Sequence, residues 1–165
     1  MKLVEYAPYK FQMDFHAAGV DCPERMLMAA NRVGKTWAAC SETAFHLTGL
    51  YPDWWPGKRF SEPVEVWSGS LSNMTSRDII QKALLGQDLK RYLGTGLIPK
   101  PMIYGKPRTR QAGISDVVDT VSVHHISGGL SKWVTKTYEQ GWSMWQSGEP
   151  HVIQMDEEPS RGAYP

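Results

Sequence analysis

The sequence predicts an α/β fold with a mostly parallel sheet flanked by helices, and three stretches carry that prediction. RMLMAA (25–30) is a short apolar run leading through NRVGKT into a helical pattern. VEVWSGS (64–70) alternates like a strand and precedes a second helical pattern. HVIQMDEEP (151–159) is an apolar run that ends in carboxylates. Strands alternating with helices point to parallel pairing, because a parallel partner is reached only through a crossover.

Taken in order, YAPYKFQMDFHAAG places Phe11, Phe15 and Ala18 at helical spacing and stops at Gly19, which predicts a short amphipathic helix. RMLMAA is too short for a helix and suits a buried parallel strand. Residues 34–48 read as a helix with Trp37, Ala38, Ala44 and Leu47 to one side and Gly49 at its end. YPDWWPGKRFSEP (51–63) holds three prolines and a glycine and reads as a loop. A helix over 74–85 carries Ile79, Ile80, Ala83 and Leu84 and closes at Gly86, and DLKRYL (88–93) reads as a weak further helix. TGLIPKPMIYGKPRTRQAG is a Pro/Gly/basic stretch expected to be irregular. VVDTVSVHHI (117–126) and WVTKTY (133–138) have strand composition, and GWSMWQSG reads as a short helical turn.

At 165 residues the chain fits one domain with one core. Eighteen Lys+Arg against seventeen Asp+Glu leave a net charge of +1, which excludes a broad electrostatic footprint for nucleic acid. Cys22 and Cys40 have neither metal spacing nor a secreted framework, so ordinary thiols are expected and no disulfide. No signal-peptide core or long apolar run is present, and a soluble intracellular protein is expected, with no membrane partner.

AANRVGKT (29–36) closes as a phosphate-binding loop does, in Gly34, Lys35 and Thr36, but opens with Ala29 where glycine is usual. In such a loop the backbone surrounds the phosphates, here through Ala29, Ala30, Asn31, Arg32, Val33 and Gly34. Lys35 adds a mobile positive charge, and the Thr36 hydroxyl is of the type that coordinates Mg²⁺. Ala29 is the least demanding replacement as long as its φ stays negative. The competing reading is a glycine-broken helix start with a solvated lysine. At the other end, Asp156 and Glu157 would emerge at the C-terminal edge of a buried strand, where ligands bind in open α/β sheets. Asp156 suits Mg²⁺ through water and Glu157 suits polarising the water that attacks a γ-phosphate, whereas a solvated acidic turn before Pro159 is the bland alternative.

About 120 residues separate Lys35 from Asp156, room for an intervening strand and crossover. With a Glu directly after the strand-end Asp, this points to the ASCE branch of P-loop NTPases; no NKxD sequence for guanine is present. The Gln12 amide offers a donor and an acceptor to an adenine edge, and Tyr6 or Tyr9 could stack on the base, although a helical glutamine is usually just solvated. Arg32 is either a phosphate contact or solvent-facing. Arg77, Lys106, Arg108 and Arg110 are candidates for an arginine finger or DNA contact, while His124 and His125 read as structural.

Together YAPYKFQMDFHAAG, PERMLMAANRVGKTWAACSETAFHLTGLYP, WWPGKRF, VEVWSGSLSN and VIQMDEEP resemble, in order and spacing, the large terminase subunit of tailed double-stranded-DNA phages. The resemblance implies an ATP-driven DNA-packaging motor working with Mg²⁺ in the cytoplasm of the bacterial host. It also implies double-stranded DNA, a portal protein and a small terminase subunit as partners, and a possible homo-oligomeric ring. It makes Gln12 part of an adenine-reading motif, AANRVGKT and VIQMDEEP the Walker A and B elements, and Glu157 the catalytic carboxylate. Many family members carry the loop arginine where Asn31 stands, with Arg32 one place later. The chain ends nine residues after Asp156, and SRGAYP does not continue the pattern, so residues 1–165 are expected to be the N-terminal part of an ATPase domain, incomplete at the C-terminus, with the nuclease domain absent. The alternative function is nucleotide or partner binding without hydrolysis.

Overall fold

The structure, a computed structural model, describes residues 1–111, 113–146 and 148–159; the SRGAYP tail and Ser147 of the expected GWSMWQSG turn lie outside them. β1 (Glu65–Ser70) is the strand on which the sheet is assembled. The strands β4 (Leu130–Thr137) and β5 (Val152–Met155) pair with it on opposite sides, both parallel, with Val66 facing Trp133 on one side and Val152 on the other. β3 (Val117–His124) joins β4 antiparallel and β2 (Ile103–Arg110) joins β3 antiparallel, giving the order β2-β3-β4-β1-β5.

The expected mostly parallel sheet is therefore corrected to a mixed one. Only short connections join β2 to β3 and β3 to β4, and connections of that length permit antiparallel neighbours only. IYGKPRTR, expected to be irregular, forms β2. Its register with β3 shifts between Tyr104 and Arg108, the interval that holds Gly105 and Pro107, and it lies at the sheet edge, where proline is tolerated.

Helix α1 (Lys10–Ala18) stops at Gly19 as expected, but its buried residues are Gln12 and His16, while Phe11 is 38% exposed. α2 (Lys35–Thr48) ends at Gly49, which takes the left-handed φ of 73° and returns its N–H to the Phe45 carbonyl at 2.8 Å. A third helical segment, α3 (73–85), runs as Asn73–Thr75, a π-helical Ser76–Gln81 and Lys82–Leu85, and Ser72 Oγ caps it by accepting from the Thr75 N–H at 3.2 Å. DLKRYL forms turns instead of a helix. Asp88 Oδ1 takes the N–H groups of Lys90 and Arg91 at 2.6 and 3.3 Å, local bonds that compete with helix formation.

RMLMAA is not a strand. A strand needs a ladder partner, and residues 25–30 lie across a cleft from the unpaired side of β5, leaving Met26 80% and Met28 83% exposed.

The core joins Ala38, Ala44, Phe45 and Leu47 of α2 and Ile80, Leu84 and Leu85 of α3 to Val66, Trp133 and Val121, which sit side by side on one sheet face. Trp133 is fully buried and its indole N–H donates to Ser68 Oγ at 2.9 Å. Cys22 is exposed, whereas Cys40 is buried and burial pushes its thiol up to about 12. Among the described residues no helix is long and apolar enough to cross a membrane. Because Trp133 fills the centre of this core, Trp133→Ala is expected to lower the unfolding free energy by ~3–5 kcal/mol, read from a denaturant titration.

Candidate functional site

The turn after β5 and the start of α2 meet. Thr36 Oγ1 donates to Asp156 Oδ1 at 2.9 Å, a contact between residues 120 positions apart. β5 reaches this point because its ladder with β1 continues into the Asp156 N–H, which donates to the Gly69 carbonyl at 3.0 Å. Tyr138, just beyond β4, adds a hydroxyl that donates to the Asp156 carbonyl at 3.2 Å and lies 3.4 Å from that of Glu157.

Asn31, Arg32, Gly34, Lys35 and Thr36 line one side of a cleft of about 710 Å³, and Asp156 and Glu157 line the other. Lys35 Nζ donates to the Ala29 and Ala30 carbonyls at 2.7 and 2.8 Å, so the loop curls around its own lysine. Gly34 has a φ of 84°, and a Cβ there would come within 3.0 Å of Gln12 Nε2; both reasons favour glycine. Among the described residues the non-glycine positions with positive φ are Arg32, Asp116 and Glu157; Ala29 is not one of them, so alanine costs nothing at the first loop position.

Gln12 is brought to the loop but not to the cleft. Its Oε1 accepts the Tyr9 N–H at 2.8 Å, and its Nε2 donates to the Gly34 carbonyl at 3.1 Å and lies 3.5 Å from that of Val33. Of the tyrosines expected near a base, Tyr6 is packed in the core with its hydroxyl on His16, and Tyr9 is 67% exposed, stacked on Phe11. The basic candidates lie away from the cleft. Arg77 pairs with Asp78 at 2.7 Å, Arg110 turns inward to the Thr135 carbonyl and hydroxyl, and Lys106 and Arg108 stay exposed on the outer strand. His125 is buried and paired with Ser127 Oγ at 2.8 Å, which agrees with a structural role.

Gln154 and Thr43 were missed by sequence reasoning. Thr43 Oγ1 and Ser68 Oγ donate to Gln154 Oε1 at 2.8 and 3.3 Å, which locks β5 to both α2 and β1. The signal was a single amide inside the apolar run VIQM.

Among curated proteins, the chain is similar to the terminase large subunit of Salmonella phage P22, with 37% identity over 180 residues, covering 98% of this chain. The chain is related to the terminase large subunits. It spans 36% of the length of that relative. No protein-family model and no solved structure matches it.

In this terminase-related chain Glu157 sits exposed at a φ of 64°, a left-handed backbone that non-glycine residues adopt at a cost of order 1 kcal/mol. Such strain belongs at sites of function more often than in scaffolding. Glu157→Gly is therefore expected to raise stability by up to ~1 kcal/mol, and Glu157→Ala to leave it within ~0.5 kcal/mol. Gln154→Ala, which leaves buried hydroxyls without an acceptor, is expected to cost ~1–3 kcal/mol. Urea midpoints of the three variants give the comparison.

Proposed function

We propose that the chain is the ATP-binding, Mg²⁺-dependent phosphohydrolase part of a DNA-packaging motor. The observation that carries this reading is the Thr36 hydroxyl on the Asp156 carboxylate at 2.9 Å, because it joins the two motifs with which P-loop chemistry holds Mg²⁺. A hydroxyl and a carboxylate are hard oxygen donors. They fit magnesium, which takes one or two carboxylates and completes its shell with water and substrate phosphates. Among the described residues no cluster of three His, Cys, Asp or Glu stands ready to hold a metal without such help. When bound, the ion would draw charge from the phosphate oxygens.

The residues of the chain have separate tasks. The loop backbone from Ala29 to Gly34 and the start of α2 face the phosphates, since the first N–H groups of a helix have no partner within it. Lys35 exchanges its carbonyl partners for the γ-phosphate, Thr36 and Asp156 hold the metal, and Glu157 orients the attacking water. Gln12 braces the loop carbonyl from behind, and adenine reading by that side chain would require it to give up the Gly34 or Tyr9 contact. The relationship to the P22 terminase large subunit supports phage DNA and packaging partners in general; double-stranded DNA, a portal, a small subunit, a ring assembly and the cytoplasm of a bacterial host are the finer form of the same proposal. On this reading residues 1–165 belong to the ATPase part.

One observation favours nucleotide binding without hydrolysis as the second reading. The segment that enters the loop, 25–30, forms no strand, so the loop joins the sheet only through α2 and its Thr36–Asp156 contact. Both readings are tested by measuring ATP binding and phosphate release. Lys35→Ala is expected to abolish both, and Glu157→Gln to keep binding while lowering release at least ~100-fold. Binding sensitive to Lys35→Ala with no release from the unaltered chain would favour the second reading; binding indifferent to Lys35→Ala would defeat both.

A further inference from the structure

Gln12 supports the loop from α1, and what fixes α1 lies one turn further along it. His16 is fully buried, with Nδ1 2.7 Å from Glu42 Oε2 and Nε2 2.9 Å from the Tyr6 hydroxyl. Glu42 stands on α2, about two turns beyond Lys35. Its Oε1 accepts from Arg25 Nη2 at 2.7 Å and lies 3.3 Å from His46 Nε2. Arg25 opens the segment that enters the loop. Its Nη1 donates to the Phe15 carbonyl at 2.7 Å, and its guanidinium lies 4.5 Å over the Phe15 ring.

Three segments thus converge on one carboxylate: the chain entering the loop through Arg25, the helix leaving it through Glu42, and the helix bracing it through His16. Burial alone would push the Glu42 carboxyl up, but hydrogen bonds from His16, His46 and Arg25 outweigh it and hold the group below the usual carboxylate range. Apolar residues of similar volume would join two helices at no greater cost than a buried ion cluster. An anion with directional bonds instead fixes their relative position.

We propose that Glu42 is a positioning residue of the nucleotide loop, setting through His16 and Arg25 the distance between α1 and α2 at which Gln12 meets the Gly34 carbonyl. The role rests on reading the loop as a nucleoside triphosphate cradle. Glu42 lies in the wall of the cleft, but it is 5% exposed and both its oxygens are engaged by His16, Arg25 and His46, so it acts through Gln12 and the loop backbone.

The test is a double-variant cycle read by ATP affinity in the purified chain: unaltered, Glu42→Gln, Gln12→Ala and both together, each checked for a cooperative melting transition above the assay temperature. Each single change is expected to weaken ATP binding about tenfold, and the pair no further than about twofold beyond the weaker single variant, because both act through one contact. A change that merely loosened the fold would leave independent losses, which multiply. Arg25→Gln, whose side chain is 18% exposed, runs the same cycle where the buried variant does not melt cooperatively. Affinity unchanged in Glu42→Gln and Arg25→Gln, or losses that multiply in the pair, would overturn the role while Lys35→Ala still abolished binding. Absence of ATP binding by the unaltered chain would overturn the cradle reading and the role with it.

Discussion

A parallel strand cannot be reached by a tight turn, and most of this structure follows from that constraint. β1 has parallel partners on both sides, so the chain must cross the sheet each time it returns. All three strands therefore end at the same edge, where ligands bind in α/β sheets. Thr36 at the start of α2, Tyr138 beyond β4 and Asp156 beyond β5 gather there, although no two of them are close in sequence. The antiparallel pair β2 and β3 widens the sheet away from this edge and takes no part in the site.

The site combines firm and strained parts. Gln154 fastens β5 to its neighbours through buried hydroxyls, and the carboxylates follow immediately on an exposed turn. Glu157 sits there in a left-handed conformation, and Arg32 in the loop opposite does the same at a φ of 63°. Rigid elements that carry short strained segments make a site reproducible in place while leaving its reacting groups accessible. The buried carboxylate of Glu42 extends this order to α1, which would otherwise meet α2 through little apolar surface: its buried residues are Gln12 and His16.

The meeting of the loop with the carboxylates was legible in the sequence because a phosphate-loop pattern uses particular residue types at fixed spacing, and Gly34 takes the left-handed backbone that its position in that pattern suggests. β1 was legible from alternation, β3 and β4 from strand composition and β5 from its apolar run. But β5 is a half-exposed edge strand rather than the buried strand expected, with Ile153 50% and Met155 48% exposed, because it has a ladder partner on one side only. RMLMAA misled because apolar composition reports burial potential, whereas a strand exists only where another strand lies alongside. β2 was hidden for the opposite reason: Gly105 and Pro107 are loop residues by local preference, and an edge position beside β3 overrides that preference. The buried side of α1 could not be read either. Gln12 and His16 are polar, and what makes them the inner face is Glu42, 26 residues beyond His16.

Everything proposed for this chain depends on Thr36 and Asp156 meeting as one metal–nucleotide site. Calorimetric titration of ATP with and without magnesium, for the unaltered chain and for Asp156→Asn, tests it most directly. Magnesium is expected to strengthen ATP binding to the unaltered chain, and Asp156→Asn to remove this gain while metal-free binding persists. Equal ATP affinity with and without magnesium in the unaltered chain, or a magnesium gain that survives Asp156→Asn, would contradict it.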